Sequence, residues 1–487
     1  MTSRHLISRV SINLGASLLQ GLLGLALMPM ATFVLGPQDY GIYGMVVVVM
    51  NLVVAVCETG SAHVLYGHFH ALNDSNRARL QSTLLALALM LGLLIALGVL
   101  SYWSALAGCI PLLSELIPVE VWLLCFTLPL KATWAIMSPI LILTQRSEWL
   151  AASLLVQSVV NVLVILVCLY LFETGRSALF WGQWAGMLVS LVVPLILLRR
   201  SLWAPLDMRW LRKVRGVAFG AWFAGLIDNI RLILESTLTV KAVSAEALGN
   251  FNHARLYQGL MTQGTNAFAN VLWPIALKEA QLANSCFPRI KPVWDFVYAG
   301  LACVGGGAVF LGDEVVSLLT HGKFVQAGAW LPWLVVHVLL QNAGKPATAV
   351  LYAAKKGNLY SSIRIFTVLV AILALLLLVP LYGVEAVLVV YIAEMIMMRV
   401  CLVLAAQRIG VVPFQDQWVV VGCLLTVICW YIERAVDLSL ADRCVVVVGL
   451  SCIVLSALLM SMRIRFGQDW RRCLRGPKDH KSEETHV

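Results

Sequence analysis

The chain has 487 residues, 60% of them apolar and only 12% charged, with a mean hydropathy of +0.87. A water-soluble domain carries roughly 25% charged residues. Half that share, with apolar runs of about 20 residues recurring from end to end, makes lipid the solvent and excludes a set of soluble domains. A net charge of +10 would suggest a nucleic-acid partner for a soluble protein, but here its distribution gives it another origin and no nucleic acid is expected.

Taken in chain order, Met1 to Arg9 is short and basic, lacks a small-residue cleavage site and leads into a full-length span, so it reads as an uncleaved first helix. The apolar runs predict an all-α integral membrane protein of about fourteen transmembrane helices. The first seven fall at roughly 10–35, 41–66, 80–104, 118–144, 148–171, 178–198 and 214–240. The others fall at roughly 252–282, 292–319, 327–353, 358–381, 384–407, 415–433 and 442–462. At about 1.5 Å per residue each can cross about 30 Å of hydrocarbon with some tilt. The twelve cysteines lie mostly inside these runs, with no Cys-x-x-Cys pair and no zinc spacing, and read as small packing residues.

Lys and Arg set the orientation. With the N-terminus in the cytoplasm, that side collects Arg4, Arg9, Arg77, Arg79, Arg146, Arg199, Arg200, Arg209, Arg212, Lys213 and Arg215. It also collects Arg289, Lys291, Lys355, Lys356, Arg364, Arg408 and the tail from Arg463 to Lys481. The other side keeps only Arg176, Lys241, Arg255, Lys323, Arg434 and Arg443. An asymmetry of about four to one fits the positive-inside rule and places both termini in the cytoplasm. The basic link Arg199 to Arg215, with Trp203 and Trp210 interleaved, reads either as a solvated anchor or as an interfacial helix on the anionic leaflet.

The chain repeats itself once. Gln38-Asp39-Tyr40-Gly41-Ile42-Tyr43 and Glu246-Ala247-Leu248-Gly249-Asn250-Phe251 both give Gly-x-aromatic at the start of a descending helix, six spans apart. An even offset predicts two parallel halves related by an axis along the membrane normal, with a cleft between them.

At these residues the chain resembles the polysaccharide-biosynthesis (Wzx-type oligosaccharide) flippases of the multidrug/oligosaccharidyl-lipid/polysaccharide (MOP) exporter superfamily. The likeness lies in Leu35-Gly36-Pro37-Gln38-Asp39-Tyr40-Gly41-Ile42-Tyr43 and Glu58-Thr59-Gly60. It continues in Glu246 to Phe251, Ala254-Arg255-Leu256 and Pro274. The resemblance implies two pseudo-symmetric six-helix lobes around a central cavity plus two C-terminal helices. The boundaries become a first lobe over 1–198, a basic cytoplasmic linker over 199–213 and a second lobe over 214–407. Two additional helices over 414–463 and a disordered basic tail over 464–487 complete the chain. The resemblance also implies transport of undecaprenyl-diphosphate-linked sugars across the bacterial inner membrane. The expected partners are that glycan carrier, membrane lipids, and a polysaccharide polymerase and glycosyltransferases. One departure stands out: where the family often has an Asp-Arg pair late in span 7, this chain spreads Asp228, Arg231 and Glu235.

Charges within the spans mark the candidate site, because an ionisable group at the bilayer centre costs roughly 2.5–3.5 kcal/mol and must face protein or water. Lys131, framed by Pro129 and Pro139, reads either as a cation for a diphosphate or as the partner of a carboxylate. Asp228, Arg231 and Glu235 share one helix face. Arg231 suits bidentate phosphate binding, and its acids either hold it, close an ion-pair ladder, or leave Asp228 to take a proton or sodium ion. Arg255, at the outer start of span 8, and Lys345 complete the candidate substrate-binding set. Glu58, near the cytoplasmic interface, joins Asp228 and Glu235 as candidate ion-coupling or ion-pair partners. Lys278 and Lys345 also read as snorkelling side chains, and Glu394 with Arg399 as an inter-helix brace. His63, His68 and His70 cluster without a convergent geometry, and no metal is expected.

No phosphate-binding GxxxxGK[ST] loop is present, and no loop is large enough to build an active site, so neither an enzyme nor a cofactor is expected. The remaining rivals to a flippase are a cation-coupled exporter of small amphipathic molecules, which favours an acidic cavity, and a non-transporting scaffold for polysaccharide enzymes.

Overall fold

The computed structural model describes residues 3–61, 64–65, 69, 72–110, 112–144, 146–202, 204–280, 291–354, 356–409, 417–436 and 438–466. The tail assigned to 464–487 and the cluster His63, His68 and His70 therefore fall largely or wholly outside the described residues.

The first half of the chain forms α1 (Ser3–Val34), α2 (Pro37–Glu58), α3 (Asp74–Ser101), α4 (Pro118–Leu143), α5 (Ser147–Tyr170) and α6 (Ser177–Leu202). The second forms α7 (Arg209–Ala242), α8 (Ala245–Ala280), α9 (Lys291–Thr320), α10, α11 (Gly357–Tyr382) and α12 (Val384–Arg408). Helix α10 consists of two segments, Val325–Ala343 and Lys345–Ala353, which meet at Gly344. Two further helices, α13 (Gln417–Ala435) and α14 (Leu440–Phe466), pack on α9. Among the described residues, the fourteen long helices leave aside short pieces such as Trp103–Cys109.

Among the described residues, ten helices are long and apolar enough to cross a membrane by length and composition. Within those residues, α1 contributes the shorter apolar stretch Leu19–Val34, and α7, α8 and α10 fall outside the set. Helix α7 carries Asp228, Arg231 and Glu235, and α10 is broken at its bend. The break has a local cause. Pro346 has no N–H for the carbonyl of Asn342, and the Tyr298 hydroxyl donates to that carbonyl instead, at 3.1 Å. The link between the halves forms no separate helix, because α6 runs on to Leu202 and α7 starts at Arg209.

Helix starts follow ordinary capping chemistry. Pro37 and Pro118 open α2 and α4, where a missing N–H costs nothing. Asp39 accepts from the Gly36 N–H at 3.3 Å and Glu120 from the Ile117 N–H at 3.1 Å.

The repeat governs the whole packing scheme. Helix α1 ends at 34 and α7 at 242, while α2 begins at 37 and α8 at 245, so both boundaries recur 208 residues apart. The α4–α5 turn, closed by Thr144 N–H to Ile140 and Arg146 N–H to Leu141, recurs 210 residues later. There Ala354 donates to Val350 and Lys356 to Leu351. Contacts α1–α5, α2–α4, α3–α4, α4–α6 and α5–α6 recur as α7–α11, α8–α10, α9–α10, α10–α12 and α11–α12. Across the seam, α2 packs on α8, and α2–α7 is matched by α1–α8. This is the two-lobed arrangement the repeat predicts.

The seam is sealed at the end where the α1–α2 and α7–α8 hairpins turn, hereafter the turn end. A Cβ on Gly249 would overlap the Pro37 carbonyl, and one on Gly41 would overlap the Ala245 carbonyl oxygen, so only glycine lets α2 and α8 approach this closely. The two repeat motifs thus meet each other. Lys323 donates to the Phe33 carbonyl at 2.8 Å and Thr32 to the Leu319 carbonyl at 3.2 Å, adding cross-lobe bonds at the same end.

Candidate functional site

Two groups of polar residues lie at membrane depth, and they differ in how their charges are satisfied. The first is an ionic cluster inside the second lobe. Arg231 on α7 approaches Glu394 on α12 at 3.3 Å and Glu235, one turn along its own helix, at 3.7 Å. Glu235 also receives the Tyr391 hydroxyl at 2.9 Å and faces Arg255 of α8 at 3.4 Å. Asp228 binds Arg364 of α11 through both Nε and Nη2, at 2.9 and 2.7 Å. The Arg231 guanidinium lies over the Tyr391 ring, 5.1 Å from its centre. Three arginines and three carboxylates cancel, and Glu235 is completely buried. Several buried atoms nonetheless lack a hydrogen bond in the protein, among them Arg231 Nε, Glu235 Oε2 and both Glu394 oxygens. The cluster is charge-balanced but not geometrically locked.

The second group lies on exposed and half-buried faces of α2, α4, α8 and α10 beyond the sealed part of the seam, hereafter the opening. Helix α2 is mostly buried to Met50, and then Asn51 is exposed. Helix α10 is buried at every residue from 334 to 340, and then Gln341 is exposed. On α4, Lys131, Ala135, Ser138 and Ile142 share a half-buried face. The residues 210 further on, Gln341, Lys345, Thr348 and Tyr352, share the same face of α10. Helix α8 exposes Leu256, Gln263 and Asn266, and Asn266 accepts from Lys345 Nζ at 3.1 Å, which turns this face toward the same opening. By helical rise Lys131 lies about 20 Å from the start of α4, near its midpoint. It forms no ion pair or side-chain hydrogen bond with any described residue. Lys345 is less free: besides Asn266, its ammonium sits 5.5 Å from the centre of the Trp294 ring.

A model of the polysaccharide biosynthesis protein family matches residues 6–278, more than half of the sequence. The chain belongs to this family. Comparison with curated proteins gives no significant match. Among solved structures, the chain is similar to the lipid II flippase MurJ in its inward closed conformation, with a TM-score of 0.68 at 10% identity. That match covers 92% of this chain and 98% of the other. An outward-facing multidrug resistance MATE family transporter of the MOP superfamily gives a TM-score of 0.62 at 16% identity, covering 84% and 96%. A MOP superfamily transporter from Pyrococcus furiosus Vc1, described for the reverse polarity of its binding pocket, gives 0.56 at 15%, covering 89% and 97%. The fold of this polysaccharide biosynthesis family member is therefore that of MOP transporters.

In this family member the structure brings together four of the seven candidate site residues, Asp228, Arg231, Glu235 and Arg255, with Glu394 beside them. It places Lys131, Lys345 and Glu58 outside that cluster. Arg255 does not stand at the outer start of its helix: α8 begins at Ala245, so Arg255 lies about 15 Å down it, level with Glu235. Arg364 is not a cytoplasmic flank residue either. It sits about two turns inside α11, half-buried and paired with Asp228. The expected ladder within α7 forms only between Arg231 and Glu235, because Asp228 turns to α11. Glu394 does brace helices, with Arg231 as its partner. Sequence reasoning missed Arg364, Tyr391 and the exposed amides. A Tyr in an apolar run carries no signal of its own, but Asp228 already implied a cation on a facing helix. Among the described residues no group of His, Cys, Asp or Glu could hold a metal ion.

Breaking the Asp228–Arg364 pair has a predictable cost. Asp228→Asn should destabilise the second lobe, lowering the midpoint of thermal unfolding in detergent, and Arg364→Gln combined with it should recover part of the loss. A coupling near zero in that double-mutant cycle would show that the pair contributes nothing.

Proposed function

We propose that this protein flips undecaprenyl-diphosphate-linked oligosaccharide from the cytoplasmic to the periplasmic leaflet of a bacterial inner membrane, for exopolysaccharide, O-antigen or capsule assembly. Both termini are cytoplasmic in this reading, which makes the sealed turn end periplasmic and the opening cytoplasmic. Family membership and the MOP fold support a transporter. The observation that carries the anionic cargo is Lys131: a cation near the middle of its helix, on the opening face, with no carboxylate paired to it among the described residues. The ionic cluster of the second lobe holds itself neutral and contributes structure rather than net charge. Only Arg255, on a helix that borders the seam and at 3.4 Å from its acid, is placed to exchange Glu235 for a phosphate.

The mechanism is alternating access by rocking of the two lobes. The diphosphate enters beside Lys131 from the cytoplasmic leaflet while the polyprenyl tail stays in lipid. Outward opening then separates α2 from α8 at the glycine pair and breaks the Lys323 and Thr32 bonds. Gly249→Val should therefore prevent closure of the periplasmic end and abolish transport with the protein still inserted. Cross-linking of cysteines placed at 37 and 249 provides a reference for the closed distance.

The test is complementation of flippase-deficient strains that make O-antigen, capsule or exopolysaccharide. The expected result is rescue by wild type in at least one host and little rescue by Lys131→Ala at matched expression. Efflux of cationic amphipathic dyes without rescue of any host would replace this reading with that of a cation-coupled exporter.

A further inference from the structure

We propose that Asn51, Gln263 and Gln341 form a sugar-binding subsite that hydrogen-bonds the hydroxyls of the glycan next to the lysine that takes its diphosphate; this rests on the flippase reading above. All three amides are exposed side chains on helices enclosed by other helices. Helix α2 is packed by α3, α4, α7 and α8, and α10 by α8, α9, α12 and α13. Away from the turn end, where Gln38, Val325, Gln326 and Ala329 are exposed, Asn51 and Gln341 are the exposed residues of α2 and α10, and we assign them to the seam rather than to lipid. Hydrocarbon would be a poor environment in any case, since an amide there keeps no hydrogen bonds and costs several kcal/mol to transfer.

The three also share a depth with Lys131. Measured by helical rise from the turn end, Asn51 lies at about 21 Å, Gln341 at about 24 Å and Gln263 at about 27 Å, against about 20 Å for Lys131. They form a girdle about one turn thick around the opening. None of the three amides makes a side-chain hydrogen bond to a described residue, so each offers two N–H donors and a carbonyl acceptor outward. Amides inside the lobes behave differently: Asn229, Asn250 and Asn342 each donate to the carbonyl four residues back along their own helix.

The pseudo-symmetry gives the subsite its direction. Residues 131 and 341 occupy equivalent positions on α4 and α10, yet one is a lysine and the other a glutamine. The same register therefore presents a cation on the first lobe and neutral amides from α8 and α10 on the second. A lipid-linked glycan has the same two-part chemistry, with a charged diphosphate followed by neutral vicinal hydroxyls that both donate and accept. The anionic end is drawn to the first lobe and the sugars to the second. A site built to hydrogen-bond hydroxyls discriminates strongly against cargo that lacks them, because its amides then lose their partners.

The experiment compares two cargoes in vesicles holding the full-length protein. One is the polyprenyl-diphosphate oligosaccharide from the complemented strain; the other is the same polyprenyl diphosphate bearing no sugar. Asn51→Leu, Gln263→Met and Gln341→Met keep side-chain volume and remove the amide. The expected result is a loss of about tenfold or more for the oligosaccharide, the scale of a hydrogen bond lost at a desolvated site, with the sugar-free carrier moved at the wild-type rate. Equal loss of both cargoes, or loss of neither, would overturn the subsite. Failure of wild type to move either cargo would instead overturn the flippase reading. A second measurement is independent of transport: cysteines at 51 and 341 should react with a membrane-impermeant thiol reagent in inverted vesicles, and oligosaccharide carrier should slow the reaction. Unreactive cysteines, or no protection, would count against the subsite.

Discussion

Lys131→Ala is expected to lower transport of the lipid-linked glycan by about tenfold to a hundredfold, the range of a charge-assisted hydrogen bond worth roughly 1.5–3 kcal/mol, with the protein inserted at wild-type amounts. The second half of that expectation follows from the absence of a partner. A lysine bound to a buried carboxylate leaves that acid uncompensated when it is removed; Lys131 has no such acid among the described residues. Its removal should relieve the cost of holding a cation at mid-membrane, so stability should stay level or rise. Lys131→Arg should keep most of the transport, because a phosphate accepts a guanidinium as readily as an ammonium, whereas Lys131→Gln should resemble alanine. Transport rates normalised to purified protein, alongside thermal unfolding in detergent, separate the two effects. Loss of protein in Lys131→Ala would mean a structural ion pair, and full transport would remove the residue from the diphosphate site.

Much of the architecture was legible in the sequence because a membrane enforces it. Backbone satisfaction allows only helices of a certain length in hydrocarbon, so apolar runs between polar breaks map onto α1 to α14 with ends shifted by a few residues. The repeat was legible for a related reason. Gly41 and Gly249 stand where two backbones touch, and nothing larger than glycine fits, so that signal outlasts the divergence around it. The site was less legible. The spacing of Asp228, Arg231 and Glu235 identified one face of α7 correctly, but which helix answers each charge depends on packing, and α11 and α12 supply Arg364 and Glu394. Arg364, seven residues from the start of α11 and already inside the span expected at 358–381, reads as a flanking cation because a long side chain two turns in can snorkel to the interface. The exposed amides were hidden more completely. An Asn or Gln in an apolar run reads the same whether it bonds its own helix, as Asn342 does, or opens onto a seam, as Gln341 does.

Arg231→Ala should have the opposite signature to Lys131→Ala: a loss of folded protein before any loss of specific activity. Arg231 is the only cation within 4 Å of Glu394 among the described ion pairs, and it shares Glu235 with Arg255. Removing it leaves Glu394 buried at 2% exposure, with the Asp228-bound Arg364 as the remaining described cation that acts on it. Breaking a buried pair in this way costs about 3–5 kcal/mol, a large part of the stability of a typical domain. The arithmetic of the pair gives the decisive control. Arg231→Met with Glu394→Met removes both charges and gives an apolar fit between α7 and α12, so the double variant should regain most of the lost unfolding midpoint. If it does, and if its transport per folded molecule returns as well, then Arg231 holds α7 against α12 and does not touch cargo. If the protein recovers while transport stays lost, the guanidinium acts on the substrate directly, and the site extends from the seam into the second lobe.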